Sequence, residues 1–192
     1  MRLVGVGGRP RSGKDTVAAL FMEAGYFGVS LGDMARDASR VRHADKPDPI
    51  SVENMTETAN QMRLLHGSDY MLKEALRRFE MSGNRKGLVV YSVRMAVEVD
   101  FIRAHNGEVI WVEATDKVRH QRTLANLRPG EAPVTVEEML RQEALQDSPQ
   151  PGIPAEVQMN VSYVRERATH IIENNGDDKV EFEARTKQTL WL

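Results

Sequence analysis

The stretch Gly7-Gly8-Arg9-Pro10-Arg11-Ser12-Gly13-Lys14-Asp15-Thr16 decides the fold of this chain. It follows the apolar run Leu3-Val4-Gly5-Val6 and precedes apolar residues at helical spacing, Val17, Leu20, Phe21 and Ala24. This order predicts a strand, a glycine loop and a helix. Within it, Gly8-xxxx-Gly13-Lys14 has the spacing of phosphate-binding loops. Backbone N–H groups of such a loop and the N-terminus of the following helix favour an anion.

We therefore expect a nucleoside triphosphate to bind at this loop. Lys14 is expected to reach the β- and γ-phosphates as a mobile positive charge. The alternative, a glycine turn that carries a surface lysine, fits the strand–loop–helix context less well. The residues expected to bind the nucleotide in this loop are Gly8, Arg9, Arg11, Ser12, Gly13, Lys14, Asp15 and Thr16.

The residue after the lysine departs from the usual pattern. Phosphate-binding loops commonly have Ser or Thr there, which binds Mg²⁺, whereas this chain has Asp15 followed by Thr16. A carboxylate is a good ligand for Mg²⁺ or for one of its waters. Next to phosphates without a metal, however, its charge would be unfavourable. Asp15 is therefore interpreted either as a metal ligand or as a residue that stabilises the first helical turn.

Composition limits the class of protein. The chain has 192 residues, enough for one α/β domain over residues 1–192, and a net charge of −2. That charge gives no reason to expect nucleic acid or an anionic membrane as a partner. There is no cysteine, which excludes disulfides and thiolate metal sites. No apolar run approaches the roughly 20 residues of a membrane span, so we expect a cytoplasmic protein.

The rest of the chain alternates between apolar runs and amphipathic segments. Strands are predicted at 2–7, 26–31, 87–92, 108–114 and 169–174. Helices are predicted at 51–66, 68–82 and 135–146. In the first of these helices, Met55, Ala59, Met62 and Leu65 form one apolar stripe. Such alternation predicts an α/β fold, a five-stranded parallel sheet with helices on both faces.

Four segments in addition resemble a known family. Ser30-Leu31-Gly32-Asp33-Met34-Ala35-Arg36 is similar to the acceptor-binding segment of adenylate-kinase-like enzymes, and Leu88–Arg94 to a strand that ends in Asp-Gly-x-Arg. Asp116–Arg122, leading to Arg128, resembles a lid, and Asn174-Asn175-Gly176 the turn beside the adenine. With the phosphate loop, they resemble P-loop nucleotide kinases, specifically adenylate-kinase-related, dephospho-coenzyme-A-kinase-like proteins.

The resemblance implies roles for particular residues. It implies a three-layer P-loop NTPase fold with a helical acceptor region at about 32–82 and a lid region at about 116–150. The implied catalytic residues are Lys14, Arg94, Arg122 and Arg128; Arg119 is a further candidate for the lid. The implied acceptor-binding residues are Asp33, Arg36 and Arg94, because an arginine fork suits a phosphate. Asn175 is expected beside the adenine, and the implied cofactors are ATP and Mg²⁺.

One position breaks the family pattern. Tyr91 stands where the family has the aspartate that orders Mg²⁺, and Ser92 stands in place of the glycine. A phenol is neutral near pH 7 and does not replace a carboxylate charge. Either Asp15 and Asp33 supply the charge beside the metal, or the protein binds nucleotide without efficient turnover.

These observations favour an ATP-dependent phosphotransferase that acts on a small metabolite, with a nucleoside monophosphate as the first choice. A dephospho-coenzyme-A-type kinase and a non-catalytic, ATP-binding regulatory protein are the alternatives. The expected partner is a small-molecule phosphate acceptor. A homodimer is left open, since Trp191 is expected to pack against the C-terminal helix or a partner subunit.

Overall fold

The computed structural model describes residues 2–127, 133–144, 147–148 and 151–192. In this part of the chain, the strands are β1 (Arg2–Gly8), β2 (Phe27–Ser30), β3 (Gly87–Val93), β4 (Glu108–Glu113) and β5 (His170–Glu173). The α-helices are α1 (Lys14–Glu23), α2 (Leu31–Arg42), α3 (Val52–His66), α4 (Tyr70–Ser82), α5 (Ala96–Ala104), α6 (Asp116–Ala125), α7 (Val136–Ala144), α8 (Val161–Glu166) and α9 (Lys179–Leu190). A short 3₁₀ helix covers Ala155–Val157.

The strands form one parallel sheet in the order β2-β3-β1-β4-β5. Strand β1 lies at the centre and is apolar on both faces, as expected for a strand covered by helices on each side. On one face, Val4 and Val6 belong to the cluster that contains residues of α1 and α9. On the other face, Leu3 belongs to the cluster that contains residues of α2, α4, α5 and α8. The predicted three-layer α/β fold is confirmed.

Parallel strands direct the loops that follow them to one edge of the sheet. The phosphate loop after β1, the start of α2 after β2, and the segments after β3, β4 and β5 therefore share this edge. The topology thus brings together all the segments that the sequence analysis singled out.

The buried face of helix α3 differs from the apolar stripe that was predicted. Its start at the Ser51 cap is confirmed, since the Asn54 N–H donates to Ser51 Oγ at 3.2 Å. The apolar stripe is wrong at its C-terminal end, where the Leu65 side chain is 74% exposed. The buried residues of α3 are instead mainly polar: Asn54, Thr58, Ala59 and Arg63.

Strand β3 ends in an irregularity at the edge where the loops meet. Val6 pairs with Tyr91 and Gly7 pairs with Val93, so Ser92 is an extra residue, a β-bulge. Ser92 has a φ of 65°, a left-handed conformation that glycine adopts without strain. This conformation explains why the related pattern has a glycine at this position.

The two tryptophans lie in opposite environments. Trp111, in β4, is 2% exposed and belongs to the core, whereas Trp191, after α9, is 90% exposed. The expectation that Trp191 packs against the C-terminal helix is therefore wrong. Its contact with a partner subunit stays a prediction.

Candidate functional site

The loop between β1 and α1 has little room for side chains at its two key glycines. A Cβ atom on Gly8 would lie 2.5 Å from Ser12 Oγ and 2.7 Å from the Val112 carbonyl oxygen. Gly13 has a φ of 104°, and a Cβ atom there would overlap Asn174 Nδ2. Helix α1 begins directly after Gly13, so its unpaired backbone N–H groups face the loop. This geometry fits the backbone cradle predicted for a phosphate.

Lys14 lies in the first turn of α1 and is only 8% exposed. Its Nζ is 3.3 Å from Asp15 Oδ2, an ion pair in which the carboxylate faces solvent. Burial lowers the pKa of Lys14; Asp15 opposes this shift, and the charges of Arg94 and Arg11 add to it. A buried cation beside other cations is stabilised when an anion binds, as a triphosphate would.

The arginines of the loop point toward the lid region. Arg9 is 3.1 Å from Asp147 Oδ2 and 3.7 Å from Glu143 Oε2. Arg11 donates to the Asn126 carbonyl oxygen at 2.9 Å. Both side chains therefore connect the loop to α6 and α7, and their contact with nucleotide stays a prediction.

Arg119 does not lie on a solvated helix face. It is 1% exposed, donates to Asp116 Oδ1 at 2.6 Å and forms a buried ion pair with Glu143. Burial lowers the pKa of Arg119, but the hydrogen bonds to Glu143 and Asp116 outweigh it and raise the pKa overall. Through these ion pairs Arg119 joins α6 to α7, and its role in the lid stays a prediction.

Arg122 is held at the junction between the loop and the turn after β5. Its guanidinium donates to the Arg11 carbonyl oxygen at 3.3 Å, to Asn174 Oδ1 at 3.2 Å and to the Gly176 carbonyl oxygen at 2.9 Å. Arg122 therefore contacts the turn that was expected to lie beside the adenine. Its catalytic role stays a prediction, and Arg128 lies outside the described residues.

The turn after β5 contacts the phosphate loop through a residue that the sequence analysis did not choose. Asn174 is buried, and its Nδ2 donates to the Ser12 carbonyl oxygen at 2.8 Å. Asn175 accepts from the Thr115 N–H at 2.8 Å and so contacts the cap of α6. Asn174 could have been identified from the sequence as a polar residue directly after a buried strand.

The residues expected to bind the acceptor lie across the loop, at the start of α2. Ser30 caps this helix, and its Oγ accepts from the Asp33 N–H at 3.0 Å. Arg36 forms an ion pair with Asp33 within the first two turns. Both side chains therefore lie at the same edge of the sheet as the phosphate loop.

Tyr91 interacts electrostatically with the two carboxylates that were predicted to compensate for it. Burial raises the pKa of the Tyr91 phenol, and the charges of Asp33 and Asp15 raise it further, against a hydrogen bond with Ser30. The phenol is thus neutral near pH 7, as expected. Among the described residues, no group of three or more His, Cys, Asp and Glu side chains is arranged to hold a metal. Magnesium binding by Asp15 and Asp33 stays a prediction.

Behind Tyr91 lies a buried charge cluster that the sequence analysis only partly found. Glu98, 2% exposed, accepts from the backbone N–H groups of Arg94 at 2.8 Å and Met95 at 3.1 Å. Its other oxygen is 3.6 Å from Arg63 Nη2 of α3. Burial lowers the pKa of Arg94; Glu98 and Asp15 oppose this shift, whereas Arg63 and Arg36 add to it. Arg63 and Glu98 were missed because both were read as ordinary helix residues.

A small polar cavity adjoins the loop on the β4 side. It is lined by residues of the loop, β4, α6 and α8, among them Arg9, Ser12, Trp111, Asp116, Arg119 and Arg165. Separately, no helix within the described ranges is both long and apolar enough to cross a membrane.

The chain resembles solved kinase structures in its fold. No family model matches it. A shikimate kinase from Bacteroides thetaiotaomicron is similar over 100% of this chain and 99% of its own, with a TM-score of 0.61 and 12% identity. A shikimate kinase from Acinetobacter baumannii, solved with shikimate, covers 100% and 93%, with a TM-score of 0.58 and 15% identity. Such low identity shows the fold alone, a kinase-like P-loop fold.

Sequence similarity is higher to an archaeal relative. A UPF0200 protein of Methanococcus vannielii is 32% identical over 132 residues, which are 67% of this chain and 68% of the relative. The chain belongs to the UPF0200 family.

Proposed function

We propose that this protein is an ATP-dependent phosphotransferase that acts on a small phosphate-bearing metabolite, with a nucleoside monophosphate as the favoured acceptor. One observation carries the proposal. The buried Lys14 and the close-packed glycines of the phosphate loop share one edge of the sheet with Arg36 and Arg94. This shared edge supports a phosphate-donor site beside a set of acceptor-binding cations, the arrangement that phosphoryl transfer requires.

Each group on the donor side has a separate role in binding ATP. Backbone N–H groups at the start of α1 and the Lys14 ammonium bind the β- and γ-phosphates. Lys14 is available for this role because its ion-pair partner among the described residues, Asp15, is exposed and lies 3.3 Å from Nζ. Asn174 fixes the loop by binding the Ser12 carbonyl oxygen, so the N–H groups keep their direction. Arg122, on the β5 side of the loop, contacts the nucleoside part of ATP.

The side chains on the acceptor side orient the attacking oxygen. Arg36 and Arg94 bind the acceptor phosphate, one of whose oxygens attacks the γ-phosphorus as the bond to the ADP oxygen breaks. Holding the two groups in line supplies most of the rate enhancement in this class of reaction. The positive charges of Lys14 and Arg94 also offset the negative charge on the group in transfer.

Asp15 and Asp33 would hold the Mg²⁺ that accompanies ATP, and the metal would neutralise part of the phosphate charge. The chemistry of these two side chains fits Mg²⁺. Asp15 and Asp33 are hard oxygen donors whose charges both act on the neutral Tyr91, and their side chains are 69% and 55% exposed. Two exposed carboxylates suit a metal that keeps several of its waters, as Mg²⁺ usually does.

Tyr91 supports a second candidate function. Because a phenol replaces the expected carboxylate, the protein is alternatively a non-catalytic, ATP-binding regulatory protein. The two candidates predict the same nucleotide binding and differ in turnover.

A coupled assay of ADP release, run with ATP, Mg²⁺ and a panel of nucleoside monophosphates and other phosphomonoesters, tests the proposal. We expect turnover with at least one acceptor, and its loss in Lys14→Ala. Lys179→Ala is the matched control, since Lys179 lies on α9 with its side chain 75% exposed. Tight ATP binding without turnover on any acceptor would favour the regulatory protein, and absence of ATP binding would refute both candidates.

A further inference from the structure

We infer that Arg63 of α3, which is buried, and Arg94, which is half-buried, form a clasp of two guanidinium groups that binds a dianionic phosphomonoester. This inference rests on the proposed function and specifies it. It adds a residue from a separate element, and it assigns the charge of the acceptor group.

The first support is the unusual inward face of α3. Helices on the surface of a domain generally bury an apolar face, and α3 packs mainly against α2 and α4. Here the buried side chains include Thr58, 3% exposed, and Arg63, 8% exposed, while Leu64 and Leu65 are 56% and 74% exposed. An arginine is seldom buried to this degree unless it is paired, so its position requires an explanation.

The second support is the number of hydrogen-bond donors that lack acceptors. A guanidinium has five N–H donors. Arg63 Nη2 has a sulfur contact with Met71 at 3.6 Å and an ion pair with Glu98 at 3.6 Å. Arg63 Nε is buried and, within the described part of the chain, has no hydrogen-bond partner. The Arg94 guanidinium likewise donates no hydrogen bond to any described residue, whereas its backbone N–H binds Glu98.

The third support is the balance of charge. The Arg63 guanidinium lies 3.6 Å from the buried carboxylate Glu98, whose other oxygen already accepts two backbone N–H bonds, and Arg94 contacts this carboxylate through its backbone N–H. Arg36 adds a third positive charge, which Asp33 neutralises. The cluster therefore keeps an excess of positive charge next to Lys14. Unpaired buried charge is costly, and an anion with several acceptor oxygens would relieve the cost.

A phosphomonoester has the matching chemistry. It carries a charge of about −1.5 to −2 at pH 7 and three strong acceptor oxygens. Each guanidinium presents two parallel N–H groups to such oxygens. A neutral hydroxyl group on an acceptor would leave both the charge and the donors of Arg63 unmatched.

The test separates this clasp from the phosphate loop. The protein is first saturated with ADP, which occupies the loop, and inorganic phosphate is then titrated calorimetrically. We expect phosphate to bind to the wild type, and its affinity to fall roughly 10- to 100-fold in Arg63→Met, since charge-assisted hydrogen bonds are lost. ADP affinity should stay unchanged. Arg78→Met is the matched control, because Arg78 lies on the exposed face of α4 and its side chain is 48% exposed.

Glu98 requires a second variant, because Arg63→Met leaves this carboxylate buried without its partner. Arg63→Met/Glu98→Gln removes both charges, while the amide oxygen introduced by the second substitution still accepts the backbone N–H bonds. The double variant should regain the thermal stability of the wild type and still bind phosphate weakly. In kinetic assays, both variants should raise the acceptor KM and leave the KM for ATP unchanged.

Equal phosphate affinity in the wild type and in Arg63→Met would overturn the inference, as would absence of phosphate binding by the wild type. Either result is compatible with phosphoryl transfer from ATP, so the proposed function would survive. If ADP itself does not bind, the proposed function fails. The dependence of phosphate binding on Arg63 in the nucleotide-free protein then still tests the clasp.

Discussion

Replacing Arg119 by Met should destabilise the fold rather than merely slow catalysis. The guanidinium is 1% exposed and pairs with Glu143, which is 4% exposed. The substitution would leave Glu143 buried without its main partner. Removing one member of a buried pair costs about 3–5 kcal/mol. Arg9, 3.7 Å from Glu143 Oε2, retains part of the compensation, so we expect about 3 kcal/mol.

Urea denaturation followed by circular dichroism measures this loss directly. In a thermal scan, about 3 kcal/mol corresponds to a fall in Tm of roughly 6–12 °C for a chain of this size. The double variant Arg119→Met/Glu143→Gln should regain at least half of the lost free energy of unfolding, because the buried negative charge is gone. The two substitutions should therefore be coupled by at least about 1.5 kcal/mol, since Glu143→Gln alone also leaves a buried charge without its partner.

Two results would refute the reasoning. The first is an Arg119→Met protein whose free energy of unfolding lies within about 0.5 kcal/mol of the wild type, as for a surface substitution. The second is strict additivity of the two substitutions. If Arg119→Met were stable but inactive, the original interpretation of Arg119 as a lid arginine would be supported.

Three further predictions concern the candidate site. Lys14→Ala should abolish phosphoryl transfer and weaken ATP binding, measured by calorimetry with a non-hydrolysable analogue, whereas equal affinity would exclude the loop as the phosphate site. Arg94→Lys should raise the acceptor KM with little change in ATP affinity, because a lysine lacks the guanidinium fork; loss of ATP affinity alone would show that donor and acceptor sites are exchanged. Asp15→Ser should reduce Mg²⁺-dependent activity, and Tyr91→Asp should restore part of it; full activity of Asp15→Ser alone would exclude Asp15 as the compensating carboxylate.

The layers of the fold were predictable because their signals are local. Continuous apolar runs identified the strands, and the observed limits of β1, β3 and β4 lie within one residue of those predicted. The phosphate loop was recognisable because Gly8 and Gly13 occupy positions where a Cβ atom would collide. Such requirements of backbone and packing restrict which residue types can occur at a position, so they can be recognised in the sequence.

The partners of the arginines were not predictable in the same way. Arg119 and Arg122 were expected in a lid and Arg63 in no site, and only the tertiary arrangement shows which groups these three side chains contact. Their acceptors lie far away in the chain, such as Glu98 for Arg63 and Gly176 for Arg122. Helical spacing describes neighbours within one element, so it carries no information on these pairs.

Because one tryptophan is exposed and the other is buried, the intrinsic fluorescence of the two can be separated. An aqueous quencher such as acrylamide should reach Trp191, 90% exposed, and spare Trp111, 2% exposed. The remaining emission then comes from β4, whose Gly7 and Gly8 neighbours in the sheet lead into the phosphate loop. Nucleotide titrations can thus be followed by intrinsic fluorescence without an attached dye, and Trp191→Phe removes the background.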